Sequence, residues 1–471
     1  MSGTSYTPRF ETLLASTAMG IYLLVVVGAT AAMADVTAAC GSWPLCEQAP
    51  TLADPSLLVA WLHRIVASGV GVLTLVTVAV AFRSPDVSRR VKAALGASVL
   101  LYAGQVGIGA LVATSGAAGP FPVVHLAAGM GIFVGLTVAL AWHLEPDTGE
   151  TTETNPVSDP TTAADETPTE PAEAPNAAAG PATLKQRAFA YFRLMKPRLM
   201  WLLCLVAGAG MALAAAAGYT LAVETIALTL GGGVLAIGSS GTFNHVLERD
   251  VDKEMDRTSD RPVATHEIPV RNAVAFGLLL AAASLVAFWQ VNLLSAVLGL
   301  TAILFYSVVY TLLLKPNTVQ NTVIGGAAGA LPALIGWGAV TGEIGLPGIA
   351  LAAVVFVWTP AHFYNLALAY KDDYEAGGFP MMPVVRGEAT TRKHILLWLA
   401  ATLLTATALA ALTDLGWLYA ATTTTLGAVF LWTVIRLHRE RTEQAAFRAF
   451  HASNAYLGAL LLAIVVDALA L

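Results

Sequence analysis

The sequence predicts an all-α polytopic membrane protein, with a nine-helix bundle preceded by a four-helix transmembrane bundle. Three observations predict it. Hydrophobic residues make up 56% of the 471 and charged residues only 12%, against roughly 25% charged in soluble domains. Apolar runs recur that are long enough to cross a bilayer, which takes about 20 residues as a helix. Basic residues gather in alternate loops, as they do on the cytoplasmic side of membrane proteins. This composition excludes an ordinary soluble globular protein. The lipid bilayer is the partner it requires, and no nucleic-acid partner is expected.

Four spans come first, at about 13–33, 57–82, 92–114 and 121–143. Nine follow, at about 199–217, 222–245, 271–288, 291–311, 319–341, 346–370, 394–413, 415–435 and 450–470. The loop Arg83–Lys92 is basic, as are the segments Lys185–Arg198, Arg249–Arg271, Lys371–Lys393 and Arg436–Arg448. Thirteen spans with the N-terminus inside put all of these in the cytoplasm and the C-terminus outside. The turns then expected outside, such as Ala215–Tyr219 and Val291–Leu294, are short and uncharged. The first apolar run lacks a basic lead-in followed by a small-residue cleavage site, so no cleaved signal peptide is expected.

Residues 145–181 hold nine Asp or Glu and no Lys or Arg, amid Thr, Pro and Ala. Such a stretch cannot bury enough apolar surface to fold. A disordered acidic linker is expected at 145–184, between domains at 1–144 and 185–471.

The stretch from Asn244 to Pro262 closes the sixth span at the cytoplasmic edge. At roughly 100° per residue, positions i, i+4 and i+8 share one helical face, so Asn244, Glu248 and Asp252 are expected to form one stripe. A hard divalent cation such as Mg²⁺ takes oxygen ligands and shares them with substrate phosphates. Arg257 and Arg261 lie just beyond, suited to clamping diphosphate oxygens. The alternative is a solvated helix end of mixed charge, but carboxylates at membrane depth are costly and usually functional. A second acidic pair, Asp372-Asp373, follows the tenth span on the same expected face. Two acidic clusters, each flanked by Lys or Arg, suit a diphosphate bridged by metal ions.

The nine-span part resembles the UbiA superfamily of intramembrane prenyltransferases, and within it the protohaem IX farnesyltransferase (haem O synthase) family. The resemblance is carried by Leu194-Met195-Lys196-Pro197-Arg198, by Asn244 through Pro262, by Tyr310 through Lys315 and by Gly325 through Trp337. It continues in Trp358-Thr359-Pro360-Ala361-His362-Phe363 and in Asp372-Asp373-Tyr374 leading to Pro380-Met381-Met382-Pro383, so it spans about 190 to 390. It implies metal-assisted ionisation of farnesyl diphosphate and capture of the allylic cation by a vinyl group of protohaem IX. By motif position Asn244, Glu248, Asp252, Asp372 and Asp373 would hold the metal. Arg257, Arg261, Lys315 and Lys371 would face the diphosphate, and Lys196 with Arg198 would meet it or the haem propionates. His362 would contact the porphyrin, or else be a histidine bonded to a neighbouring helix. Glu248 stands where Asp is common, and Ala361 where a second Pro is usual.

In the front domain, His63 and His125 fall at similar depth on two spans that enter from outside. Such a pair is a standard means of ligating haem axially, or else two buried structural histidines. Cys40 and Cys46 share the first outer loop, where oxidising conditions permit a disulfide. This part resembles half of a haem A synthase in its Cys40–Cys46 segment, His63-Arg64 and His125. That family carries Glu three residues before the first His, and here the position is Ala60, which puts an oxidising reaction in question. The resemblance leaves open pairing with a second copy or with a haem A synthase, or binding and passing on haem. Rival readings are a prenyltransferase for a quinone precursor or lipid, a bifunctional protein that also oxidises haem O, and a haem-binding carrier that leaves the acidic clusters unexplained.

Overall fold

The structure, a computed structural model, describes residues 8–33, 40–51, 53–115, 120–146, 183–413 and 415–470. Among them thirteen helices are long and apolar enough to cross a membrane. The front four are α1 (Pro8–Met33), α2 (Pro55–Arg83), α3 (Arg89–Ser115) and α4 (Phe121–Leu144). Their starts follow from local chemistry. The Asp54 carboxylate, for example, accepts the amide of Leu57 at 3.0 Å just ahead of Pro55. Most of the expected linker, residues 147–182, lies outside the described residues.

The chain resumes in α5 (Leu184–Leu194), an amphipathic helix within a segment expected only as a basic loop. A capping box starts it: the Gln186 amide donates to Thr183 Oγ1 at 3.3 Å, and the Thr183 amide donates to Gln186 Oε1 at 2.7 Å. The nine-helix bundle then runs through α6 (Pro197–Ala216), α7 (Val223–Leu247), α8 (Val270–Val291) and α9 (Leu293–Leu304), the last continued by a π-helical segment Phe305–Leu314. After α10 (Asn321–Thr341) and α11 (Leu346–Ala369), two short helices, α12 (Lys371–Ala376) and α13 (Met382–Arg386), fill the expected basic loop. The last three are α14 (Glu388–Leu412), α15 (Trp417–Glu440) and α16 (Glu443–Ala470).

Successive long helices pack side by side, and α16 returns against α6 to close the ring. At the crossing of α6 and α10, a Cβ on Gly336 would sit 2.0 Å from the Ala207 carbonyl oxygen. Only glycine allows that approach, as small residues do at membrane helix interfaces.

The front bundle docks through α1 and α4 onto α14 and α15, and the two share one continuous apolar core. Polar ties cross the seam. Tyr22 Oη donates to the Leu403 carbonyl at 3.1 Å and lies 2.9 Å from Thr423 Oγ1. Arg439 meets Glu11 at 2.7 Å, and Arg392 meets Glu145 at 2.6 Å. Glu145, which composition assigned to the linker, is therefore a buried residue of the folded part.

Candidate active site

The acidic stretch is not one helix. α7 ends at Leu247, Glu248 caps it, and Asp252 follows on a 3-10 turn Val251–Glu254. The expected single stripe of Asn244, Glu248 and Asp252 is corrected accordingly. The backbone tightens past the cap, and the Asp252 amide still reaches the Glu248 carbonyl at 2.8 Å. All three side chains are nonetheless buried, because cations draw them together.

Lys315 Nζ donates to Glu248 Oε1 at 2.6 Å. Arg261 Nη1 donates to both carboxylate oxygens of Asp252, at 2.7 and 2.8 Å, and stands 3.5 Å from Glu248 Oε2. Lys196 Nζ donates to Asn244 Oδ1 and to Tyr306 Oη, and Asn244 Nδ2 donates to Thr311 Oγ1 at 3.3 Å. The electrostatics follow from burial opposed by neighbours. Desolvation, with the Arg261 cation beside it, pulls the Lys196 ammonium down to about 7. Burial also lowers Lys315, against the pull of Glu248. Burial disfavours ionised Glu248, yet Lys315, Lys196 and Arg261 together hold its carboxyl below the usual range. For Asp252 burial wins over Arg261, and its carboxyl is raised.

Two backbone features present these cations. Lys196 sits in the left-handed region (φ 55°, ψ 57°) immediately before Pro197. A non-glycine residue there costs on the order of 1–3 kcal/mol, the kind of strain that clusters at functional sites. The π-helical turn places the Lys315 amide on the Tyr310 carbonyl, five residues back, at 2.8 Å. One extra residue per turn rotates Lys315 onto Glu248, and such segments often mark functional sites. Tyr306 and Thr311, on the same segment, are site residues that sequence reasoning missed. Period-3.6 patterning cannot register a π-turn.

Below this knot lies a narrow cavity of ≈ 90 Å³. Lys196 and Tyr306 are at its polar end, and its walls are almost wholly apolar, from α6, α7, α8, α9 and α10. A second cavity, ≈ 660 Å³ and polar, is lined by Asp256, Arg257, Lys371, Asp372, Asp373, Arg392 and Arg441 among others. There Asp373 braces the loop after the first cluster: its carboxylate accepts the amides of Asp256 at 3.3 Å and Arg257 at 3.2 Å. The Arg257 guanidinium lies over the rings of Tyr370 and Tyr374, and its Nε is buried without a partner. Lys371 pairs with Glu388 at 3.3 Å. Among the described residues no three His, Cys, Asp or Glu side chains gather closely enough to hold a metal ion. The five expected ligands thus divide between the end of α7 with the turn after it and the short helix α12. The oxygen donors of Asn244, Glu248 and Asp252 are of the class a hard cation takes.

Arg198 is exposed, one residue into α6. His362 lines neither cavity. Its ring stacks between Trp358 and Phe450, each centroid 4.3 Å away, and Nδ1 lies 2.6 Å from Ser453 Oγ. That is the neighbouring-helix alternative. In the front bundle, Nδ1 of His63 and of His125 is buried with no hydrogen-bond partner. Cys40 and Cys46 form a disulfide, packed against Leu57 and Ala60.

The sequence profile of the UbiA prenyltransferase family matches residues 202–459, and a cytochrome oxidase assembly protein profile matches 53–164. The protoheme IX farnesyltransferase of Haloarcula marismortui is 65% identical over 471 residues, 98% of this chain and 99% of that protein. Protoheme IX farnesyltransferase 1 of Natronomonas pharaonis is 63% identical over 466 residues, again 98% and 99%. A solved structure of digeranylgeranylglyceryl phosphate synthase superposes with a TM-score of 0.51 at 15% identity, covering 60% of this chain and 99% of that one, which is a likeness of fold.

Proposed function

The chain belongs to the UbiA prenyltransferase family, and on that premise we propose that it transfers a farnesyl group from farnesyl diphosphate to a vinyl group of protohaem IX, forming haem O. Relatives that match it end to end bear the name protoheme IX farnesyltransferase, which supports haem as the acceptor. At the site, one observation carries the reading: a buried knot of cations and oxygen donors closes the polar end of an apolar cavity. It is a multi-pass membrane enzyme. With the N-terminus cytoplasmic and the C-terminus outside, both acidic segments face the cytoplasm.

Lys196, Arg261 and Lys315 would receive the diphosphate, with Arg257 and Lys371, which line the second cavity, beside them. Asn244, Glu248 and Asp252, with Asp372 and Asp373 opposite, would hold a divalent cation such as Mg²⁺. Bound there, the ion would neutralise charge on the departing diphosphate. The C1–O bond breaks with its electron pair on the diphosphate, whose developing charge the lysines and arginines stabilise. The allylic C1 bonds the terminal vinyl carbon, and water adds its oxygen to the inner carbon and releases a proton. The apolar walls keep water from the cation until the acceptor has reacted.

The front bundle, in this reading, binds haem through His63 and His125. Their unpartnered Nδ1 atoms and the profile match at 53–164 support it. Ala60 favours binding over oxidation of haem O. The test is expression in a host lacking haem O, with extraction and mass analysis of the haems. Haem O should appear. Haem B alone, despite folded protein and supplied farnesyl diphosphate, overturns the proposal.

A further inference from the structure

We infer that Phe288 sets the length of prenyl chain this site accepts, an inference that rests on the prenyl transfer proposed above. The apolar cavity has a definite polar end at Lys196 and Tyr306, where Asn244 closes the knot. From there it follows one stripe of α7, through Gly241, Ile237, Ala236 and Gly233, towards the opposite face of the bundle. Phe288, near the C-terminal end of α8, is fully buried and lines the cavity in its deep part, where Thr229 and Leu230 of α7 line it too. Its ring is wedged between two glycines on neighbouring helices. A Cβ on Gly232 would lie 3.1 Å from it and one on Gly299 only 2.4 Å. The ring occupies the space those side chains would fill, and it cannot be pushed aside without moving α7 or α9.

The dimensions decide what fits. Asn244 and Gly232 are twelve residues apart on one continuous helix, which at 1.5 Å per residue is about 18 Å. An extended isoprene unit adds four carbon–carbon bonds along the chain, roughly 5 Å. Three units therefore need about 15 Å and four about 20 Å. With a contact distance left at each end, a fifteen-carbon chain reaches the Phe288 ring and a twenty-carbon chain collides with it. The walls hold the chain by apolar contact alone, so their selectivity comes from length and shape rather than from any polar readout.

The test is a competition assay on the full-length purified protein with protohaem IX and equimolar geranyl, farnesyl and geranylgeranyl diphosphates, read by the masses of the haem products. Wild type should give the farnesyl product. Phe288→Ala should shift the geranylgeranyl-to-farnesyl ratio upward by roughly tenfold or more, the scale on which extra methylenes are discriminated in apolar pockets. Phe288→Leu, which keeps most of the core packing, should move the ratio the same way by less. Ala236→Phe, eight residues from Asn244 and thus about 12 Å along α7, should favour the geranyl product. Variants that turn over farnesyl diphosphate with the wild-type length preference overturn the role of Phe288. A wild type that transfers no prenyl group at all overturns instead the reading on which it rests.

Discussion

Glu145 Oε1 accepts the Nε–H of Arg392 at 2.6 Å with both side chains about 95% buried, which fastens the end of α4 to the second turn of α14. Arg392 also stands 3.6 Å from Glu388, and Glu388 pairs with Lys371, the residue before Asp372 and Asp373. Removing one partner of a buried ion pair typically costs 3–5 kcal/mol. Glu145→Ala should cost about 3 kcal/mol, since Glu388 remains near Arg392. Glu11→Ala, whose partner Arg439 is 40% exposed, should cost nearer 1 kcal/mol. Thermal unfolding in one detergent ranks the two, and equal losses would contradict the difference in burial.

Lys315 donates to Glu248 at 2.6 Å with both side chains nearly buried. Lys315→Met should lower kcat/KM for farnesyl diphosphate by about 10²–10³, the usual effect of removing one charge-stabilising donor, while protohaem binding holds. Steady-state kinetics with each substrate varied in turn checks this. A change confined to the haem KM would move Lys315 away from the diphosphate.

Asp372 and Asp373 should separate on mutation. Asp373 braces two backbone amides of the facing loop, so Asp373→Ala should free that loop and speed tryptic cleavage after Arg257. Asp372→Ala should raise the Mg²⁺ concentration needed for half-maximal rate and leave the cleavage pattern unchanged. Identical digestion of both variants would dismiss the bracing role.

His362→Phe keeps a flat ring between Trp358 and Phe450 and loses only the contact with Ser453. It should reduce stability by about 1 kcal/mol, the net value of one hydrogen bond, and leave the KM for protohaem as it was. A several-fold rise in that KM would return His362 to the acceptor site.

His63→Ala and His125→Ala should each abolish a bis-histidine haem absorbance spectrum without reducing prenyl transfer by the back bundle. A spectrum that survives both changes would place any bound haem elsewhere.

The thirteen spans were legible because length and apolarity alone decide what crosses a bilayer, and both are written locally. The knot at Glu248 was legible as a set of residue types but not as a shape. Nothing in Asn244–Asp252 distinguishes a continuing α-helix from a cap followed by a 3-10 turn. Tyr306 stayed hidden because the π-segment that presents it breaks the periodicity by which helices are read. Glu145 was placed in the linker on good compositional grounds. Its partner Arg392 lies 247 residues away, and only the packed fold brings the two together. His362 carries the same lesson in reverse, since its motif suggested a ligand contact while the stacking rings of α11 and α16 gave it a packing role.

The docking of α1 and α4 on α14 and α15 has a consequence for how the protein is inherited and handled. The seam holds buried charges and a buried tyrosine hydroxyl, each matched by a group from the other bundle. Parted, the halves would leave the Tyr22 hydroxyl without its partners within the spans, and Glu11, Glu145 and Arg392 without theirs at the edge. A cut between residues 147 and 182 should therefore yield two chains that purify as one particle. A gene encoding residues 185–471 alone would produce a bundle with an ionic scar on its flank.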